Sequence, residues 1–262
     1  MSRIASVFNK SGHIALIPYV TVGYPSIEAT LEVVPLLASS GCDIVELGIP
    51  FSDPLADGAT IQKASFHALQ NGVTPQLCLD VARQLSQKVE TPLVFMTYFN
   101  PVFSYGLEAF CNACARSGID GLIIPDLPAE ESSELEAITP RHNLDLIYLL
   151  APTSTEGRIR LVAERSRGFI YLVSVTGVTG ARKALPADLA AFVARVKQVA
   201  SQPVCVGFGI STPEQAREVA QIADGVIVGS RIIQLMEADD NFISVANFIK
   251  GLRRALDEPS PK

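Results

Sequence analysis

Two carboxylates in one short stretch have the residue types and spacing for acid–base chemistry. Glu46 lies in an apolar, β-branched segment typical of a buried strand, and Asp57 lies eleven positions later in a loop marked by Pro and Gly. A buried carboxylate is costly unless it is paired or its pKa is raised for proton transfer. No Arg or Lys lies inside any predicted strand, so we favour proton transfer over an ion pair for Glu46. Asp57 precedes a glycine, and two roles remain possible for it. It is either a structural turn residue or the more solvent-exposed carboxylate of an acid–base pair.

Two glycine-rich turns late in the chain offer a site for an anion. They are "GFGIS" (residues 207–211) and "GSRII" (residues 229–233), after the seventh and eighth predicted strands. Glycines let backbone N–H groups approach an anion, and the second turn can open a helix whose N-terminus attracts negative charge. Tight turns without a ligand are the alternative, but barrels commonly bind phosphate at these strand ends. A third loop, residues 175–182, predicts a lid in which Gly180 adds an N–H.

Eight short apolar runs alternate with amphipathic segments along the chain. The runs cover residues 14–20, 42–49, 92–99, 121–125, 145–152, 168–175, 203–210 and 225–230. Eight strands alternating with helices in 262 residues predict a single-domain (β/α)8 TIM barrel with extra short helices over residues 1–262. We expect residues from about 257 to 262 to form a frayed tail. A doubly wound open sheet is the alternative, but the glycine-rich turn expected after its first strand is missing from the sequence.

A barrel would bring these residues to one mouth, because barrel chemistry lies where strands end. Alternation in the second predicted strand places Glu46 on one face with Ile44 and Gly48, which we expect to point into the barrel. Aromatic lining would come from Tyr19, Tyr171 and Phe208. A phosphate site, two carboxylates and aromatic walls predict acid–base chemistry on a phosphorylated substrate with an apolar or aromatic end.

Charge and composition argue against several other functions. The chain has 21 basic and 27 acidic residues with no basic run, so nucleic acid is a poor partner. No apolar run reaches the roughly 20 residues that cross a membrane. Five cysteines without a secretory signal or transit peptide predict a cytoplasmic protein, or one of the stroma if the source is a plant. The predicted strands lack lysine and the histidines are scattered, so we expect no Schiff base and no metal in this chain.

Several motifs, in order along the chain, resemble the tryptophan synthase alpha chain family. They are "PYVTVGYP", "ELGIPFSDPLADG", "YFNPVF", "PDLPAEES", "YLVSVTGVTGAR", "VGFGIS" and "IVGSRII". The resemblance runs from about residue 16 to residue 233. It implies a (β/α)8 barrel that cleaves indole-3-glycerol phosphate to indole and D-glyceraldehyde 3-phosphate. It also implies a beta chain that carries pyridoxal phosphate and makes L-tryptophan from the indole, in an alpha2beta2 tetramer.

The resemblance also assigns roles to single positions. Glu46 and Asp57 match the family's catalytic glutamate and aspartate, and Tyr171 matches a tyrosine near the glutamate. Tyr19 falls where the family often has Phe against the indole ring, and Thr179 matches a lid threonine that meets the catalytic aspartate. The substrate-binding positions implied in this way are Tyr19, Thr179, Gly180, Phe208, Gly209, Gly229 and Ser230.

Two other functions stay open on the sequence. A stand-alone indole-3-glycerol-phosphate lyase would carry out the same cleavage without a partner. A mainly regulatory phosphate-binding barrel subunit would bind its ligand and act on a partner with negligible turnover. The presence of both carboxylates argues against the regulatory subunit.

Overall fold

The strands of the chain form one parallel sheet that curves around a central axis. The structure, a computed structural model, describes residues 1–173, 188–207, 209–239 and 241–258. Within these ranges the strands are β1 (Ala15–Thr21), β2 (Val45–Gly48), β3 (Leu93–Met96), β4 (Gly121–Ile123), β5 (Asp145–Ile147), β6 (Leu149–Leu150), β7 (Ile170–Val173), β8 (Val204–Gly207) and β9 (Gly225–Val228). They pair in the order β5-β4-β3-β2-β1-β9-β8-β7-β6, with every pair parallel. The predicted barrel is confirmed.

The structure divides the fifth predicted strand in two at Tyr148. β5 pairs with β4, whereas β6 pairs with β7, and only Tyr148 separates β5 from β6. The backbone N–H of Tyr148 donates to Ser166 Oγ at 3.3 Å, and its carbonyl oxygen accepts from Tyr171 N at 3.0 Å. This change of partner brings the two ends of the sheet together. The structure therefore has one strand more than predicted, because the predicted fifth strand forms both β5 and β6.

Helices cover the outside of the barrel and also close one end of it. They are α1 (Arg3–Val7), α2 (Ile27–Ser39), α3 (Ala59–Gln70), α4 (Pro75–Ser86), α5 (Phe99–Tyr105), α6 (Leu107–Arg116), α7 (Ser133–Ile138), the 3₁₀ helix η1 (Thr139–His142), α8 (Glu156–Arg165), α9 (Leu189–Lys197), α10 (Pro213–Ala220), α11 (Ser230–Ala238) and α12 (Ile243–Asp257). The Ser and Thr starts seen in the sequence are N-caps: Ser26 accepts from Ala29 N at 3.1 Å, and Thr212 forms a capping box with Gln215. α12 continues through Asp257, where we expected the tail to begin, and residues 259–262 lie outside the described residues.

The interior of the barrel is a separate apolar cluster from the layer between strands and helices. Alternate residues of the strands lie in it, among them Ile17, Val94 and Ile227, together with Ile44 just before β2, as the alternation in the second predicted strand indicated. Fully buried Ile4 of α1 joins the same cluster. The short N-terminal helix therefore fills the end of the barrel that is opposite to the predicted active site.

Three aspartates at the N-terminal ends of strands connect neighbouring strands in the same way. The carboxylate of each accepts the backbone N–H of a residue near the start of the neighbouring strand, and its own N–H donates to that residue's carbonyl oxygen. The pairs are Asp43 with Leu16, Asp120 with Leu93 and Asp224 with Val204, with carboxylate distances of 2.8, 3.0 and 2.8 Å. We call these the aspartate clamps. They leave the carboxyl ends of the strands free for the site.

None of the helices in the described residues has the length and apolar character to span a membrane.

Candidate active site

Glu46 points into the barrel near the carboxyl end of β2. It lies level with Tyr19 on β1 and Val94 on β3, and it is fully buried. Neither of its carboxylate oxygens has a hydrogen-bond partner among the described residues. Burial raises the pKa of Glu46 from 4.5 to about 8. Among the described residues Glu46 therefore forms no ion pair, contrary to the alternative considered from the sequence. At neutral pH its side chain is mostly the protonated acid.

Asp57 is both a turn residue and a buried carboxylate. Its backbone N–H donates to Pro54 O at 3.1 Å, and its carbonyl oxygen accepts from Gln62 Nε2 at 2.8 Å, which fixes the loop against α3. The residue is only 8% exposed, so it is less accessible to solvent than we expected from the sequence. Burial raises the pKa of Asp57 to about 6, and the nearby hydroxyl of Tyr98 opposes this rise. Asp57 is therefore mostly ionised at neutral pH, whereas Glu46 is mostly protonated.

Two tyrosines lean across the mouth of the barrel, each over a glycine of the next strand. Tyr19 pairs in register with Glu46, and its ring covers Gly48, where an added Cβ would lie 2.1 Å from the phenol oxygen. Tyr171 covers Gly207 in the same manner, with an added Cβ 2.5 Å from its ring. Because glycine has no Cβ, both rings can occupy these positions, and both line the same cavity as the two carboxylates.

We predict that Gly207→Ala lowers kcat/KM for the reaction that the resemblance implies about tenfold or more. The new methyl group would force the ring of Tyr171 away from the wall, and a displacement of about 1 Å near a reacting group costs up to roughly 100-fold. Steady-state assays of Gly207→Ala would measure this loss of kcat/KM. Gly157→Ala is the matched control, because no atom lies within 4 Å of an added Cβ at Gly157. Equal kcat/KM values for the two variants would show that the position of Tyr171 is unimportant.

The predicted anion turns lie at the same mouth as the carboxylates. Gly209 has a φ of +69°, a conformation that favours glycine. Gly229 directly precedes α11, whose first residue is Ser230, and both residues line the cavity, so the N-terminus of this helix lies at the cavity. These features fit a phosphate group on chemical grounds.

One cavity of about 230 Å³ contains all the predicted site residues that the structure describes. They are Tyr19, Glu46, Asp57, Tyr171, Gly209, Gly229 and Ser230. Thr179, Gly180 and Phe208 lie outside the described residues. In the described part of the chain, no group of three or more His, Cys, Asp or Glu side chains is placed to hold a metal ion. A cavity of this size, lined by both carboxylates and by the glycine turns, suits one small molecule.

Sequence reasoning missed several residues that line this cavity. Met96 and Leu149 occupy inward positions at the ends of β3 and β6, so the alternation argument used for Glu46 would have found both. Ile61 lies on α3, and nothing in its spacing marks it as a wall residue. A larger cavity of about 540 Å³ adjoins the first and shares Ala56, Leu149 and Val173 with it. We assign the chemistry to the smaller cavity, because it holds both carboxylates.

The fold and the cavity together define a class of protein: a (β/α)8-barrel enzyme with a carboxylate pair at its mouth. A family model described as "Tryptophan synthase alpha chain" matches residues 6–256. The chain belongs to the tryptophan synthase alpha chain family.

Individual relatives agree with this placement over nearly the whole chain. A tryptophan synthase alpha chain of Dehalococcoides mccartyi is 59% identical over 257 residues, which are 98% of this chain and 100% of that one. The alpha chain of Geobacter sulfurreducens is 50% identical over 98% of this chain and 99% of its own. Among solved structures, Mycobacterium tuberculosis tryptophan synthase superposes with a TM-score of 0.93 at 39% identity, covering 98% of this chain and 99% of that chain.

Proposed function

We propose that this chain cleaves indole-3-glycerol phosphate to indole and D-glyceraldehyde 3-phosphate by carboxylate acid–base catalysis. The observation that carries the proposal is the pair of carboxylates in one cavity with pKa values on opposite sides of neutrality, about 8 for Glu46 and about 6 for Asp57. Pairs of titratable groups whose environments separate their pKa values mark an acid and a base. The cavity therefore offers a proton donor and a fixed negative charge together at pH 7.

Glu46 would supply and recover the proton of the reaction. Indole leaves poorly until its C3 atom is protonated, and a buried, protonated glutamic acid is a suitable donor. Protonation at C3 places positive charge on the ring nitrogen, which the ionised carboxylate of Asp57 stabilises through the N–H. The resulting Glu46 carboxylate then takes the proton of the substrate hydroxyl on the glycerol carbon that is bonded to C3. The bond from C3 to that carbon breaks, its electrons return to the ring, the carbon becomes the aldehyde, and Glu46 is protonated again.

The remaining side chains would hold the two ends of the substrate. The rings of Tyr19 and Tyr171 lie beside the carboxylates and bury an aromatic ring, while the turns at Gly209, Gly229 and Ser230 offer backbone N–H groups to the phosphate. Tyr171 lies near Glu46, and the charge of Glu46 adds to burial in raising the pKa of this tyrosine. Tyr171 therefore stays a neutral phenol that can donate a hydrogen bond to the reacting hydroxyl.

A beta chain is the partner that we propose for this subunit, in an alpha2beta2 tetramer. Leu55 on the loop after β2 is 91% exposed, Phe103 on α5 is 64% exposed, and both belong to motifs that carry the family resemblance. Apolar side chains this open to solvent suit a protein interface. The beta chain would carry pyridoxal phosphate and convert indole to L-tryptophan, and this chain would need no cofactor of its own. We place the complex in the cytoplasm.

Indole release from indole-3-glycerol phosphate tests the proposal, measured with and without a tryptophan synthase beta chain. Slow release alone and much faster release with the partner would support both the reaction and the complex. Fast release with no effect of the partner would indicate a stand-alone lyase. Binding of substrate with no release in either case would indicate a regulatory barrel and would refute the roles given to Glu46 and Asp57. The beta chain alone is the control, because it has no source of indole.

A further inference from the structure

Tyr98 is a buried tyrosine at the mouth that the reaction described above does not use. It follows β3 by two positions and is the N-cap residue of α5, and it is 4% exposed. Its ring stacks on Phe51, with ring centroids 5.1 Å apart and an interplanar angle of 27°. Phe51 belongs to the same loop as Asp57, so this stacking joins the end of β3 to the loop that carries the carboxylate.

The hydroxyl of Tyr98 is directed at that loop from a fixed position. Its oxygen accepts the backbone N–H of Ala56 at 3.1 Å, which leaves its own hydrogen free to donate. The carboxylate that this hydroxyl acts on belongs to Asp57, the next residue, and the hydroxyl of Tyr98 lowers the pKa of that carboxyl. One phenol therefore fixes the backbone of this turn at Ala56 and acts on the charge of the carboxyl group that follows it.

The other titratable groups that face Asp57 in the described residues give it no positive charge. They are Tyr19 on β1, Glu46 on β2 and Tyr171 on β7. From α3 comes only the neutral amide of Gln62, which contacts the backbone carbonyl of Asp57. Burial raises the pKa of Asp57 and so disfavours its ionised form. Among the described residues, Tyr98 is the group that lowers this pKa and so favours the ionised form.

We propose that Tyr98 is a positioning residue for the cleavage reaction, whose hydroxyl keeps the Asp57 carboxylate ionised and directed at the indole ring nitrogen. The inference rests on the proposed function for its catalytic consequence. Its structural part, the control of Asp57 by Tyr98, stands on the stacking with Phe51 and the hydrogen bond with Ala56.

Tyr98→Phe tests the inference, because it removes the hydroxyl and keeps the ring. We expect the titration midpoint of Asp57, followed by ¹³C NMR of its carboxyl carbon, to rise by about one pH unit. The acidic limb of kcat/KM for indole release should move upward by the same amount, while the basic limb and the affinity for a non-cleavable indolylalkyl phosphate stay unchanged. Tyr148→Phe is the matched control: it removes another buried phenol hydroxyl, which contacts Ser132 and Glu136, and should move neither limb.

An unchanged Asp57 midpoint in Tyr98→Phe would overturn the inference, and so would a parallel movement of both limbs, which would indicate a general disturbance of the site. The NMR measurement needs no turnover. If the unaltered enzyme released no indole, the proposed function would fail, and the midpoint would still decide whether Tyr98 controls Asp57.

Discussion

Replacing Glu46 with Gln is expected to reduce indole release by about 10²- to 10⁴-fold, the usual contribution of a general acid–base group. The amide of Gln has nearly the shape of the carboxyl group but can neither give a proton to C3 nor take one from the hydroxyl. Single-turnover measurements with the beta chain present would isolate the chemical step. An exposed glutamate such as Glu131 provides the control, since Glu131→Gln should release indole at the normal rate. Release by Glu46→Gln within tenfold of normal would exclude the role.

The same variant should change how stability depends on pH. The pKa of Glu46 rises from 4.5 to about 8 on folding, so between these values the unfolded chain is ionised and the folded chain is protonated. The contribution of the protonated Glu46 to the free energy of unfolding is therefore complete below pH 4.5 and is lost as the pH rises toward 8. At pH 7 the loss spans about 2.5 pH units, or on the order of 3 kcal/mol. Urea unfolding at several pH values should show this decline in the natural protein and a flatter profile in Glu46→Gln.

Asp57→Asn is expected to slow the chemical step by roughly 10²- to 10³-fold while leaving the binding of a substrate analogue almost intact. The amide keeps the turn, because the contacts that shape it come from the backbone of Asp57. It removes the negative charge that stabilises the developing cation, and a lost electrostatic contact of this kind costs about that factor. Two separate measurements on Asp57→Asn check this prediction: the rate of the chemical step and the affinity for the substrate analogue. Weakened binding with an unchanged rate would instead make Asp57 a positioning residue.

The pH profile gives a second test of Asp57. For the natural enzyme kcat/KM should be bell-shaped, rising near pH 6 as Asp57 ionises and falling near pH 8 as Glu46 loses its proton. In Asp57→Asn the residual activity should lose the acidic limb and keep the basic one. An acidic limb that persists in Asp57→Asn would belong to another group.

The sequence was most informative where a local pattern decides the structure. Alternation in one strand was enough to place Glu46 inside the barrel, because side chains of a strand point to opposite faces. Eight apolar runs separated by amphipathic segments predicted the barrel, because parallel strands covered by helices are apolar on both faces. The glycine turns at Gly209 and Gly229 were also readable, since their positions follow from where strands end.

Features that depend on contacts between distant segments were not readable in this way. The break at Tyr148 comes from a hydrogen bond to Ser166, and the sequence gives no sign that this serine replaces a strand neighbour. The position of Tyr98 beside Asp57 joins residues far apart in the chain through a side chain. Asp57 itself stayed ambiguous because a residue in a turn can be exposed or buried, and only the packing of the mouth decides which.

The aspartate clamps have a consequence for how the chain folds. Each clamp joins residues only 27, 27 or 20 positions apart, so closing its loop costs little chain entropy. Contacts that are local in sequence form quickly, and two-strand units can therefore assemble in several parts of the chain before the sheet is closed. Closure itself needs Ala15 N to reach the carbonyl oxygen of Asp224, from opposite ends of the chain. Folding should thus begin in local modules at the closed end of the barrel, with the catalytic mouth completed last.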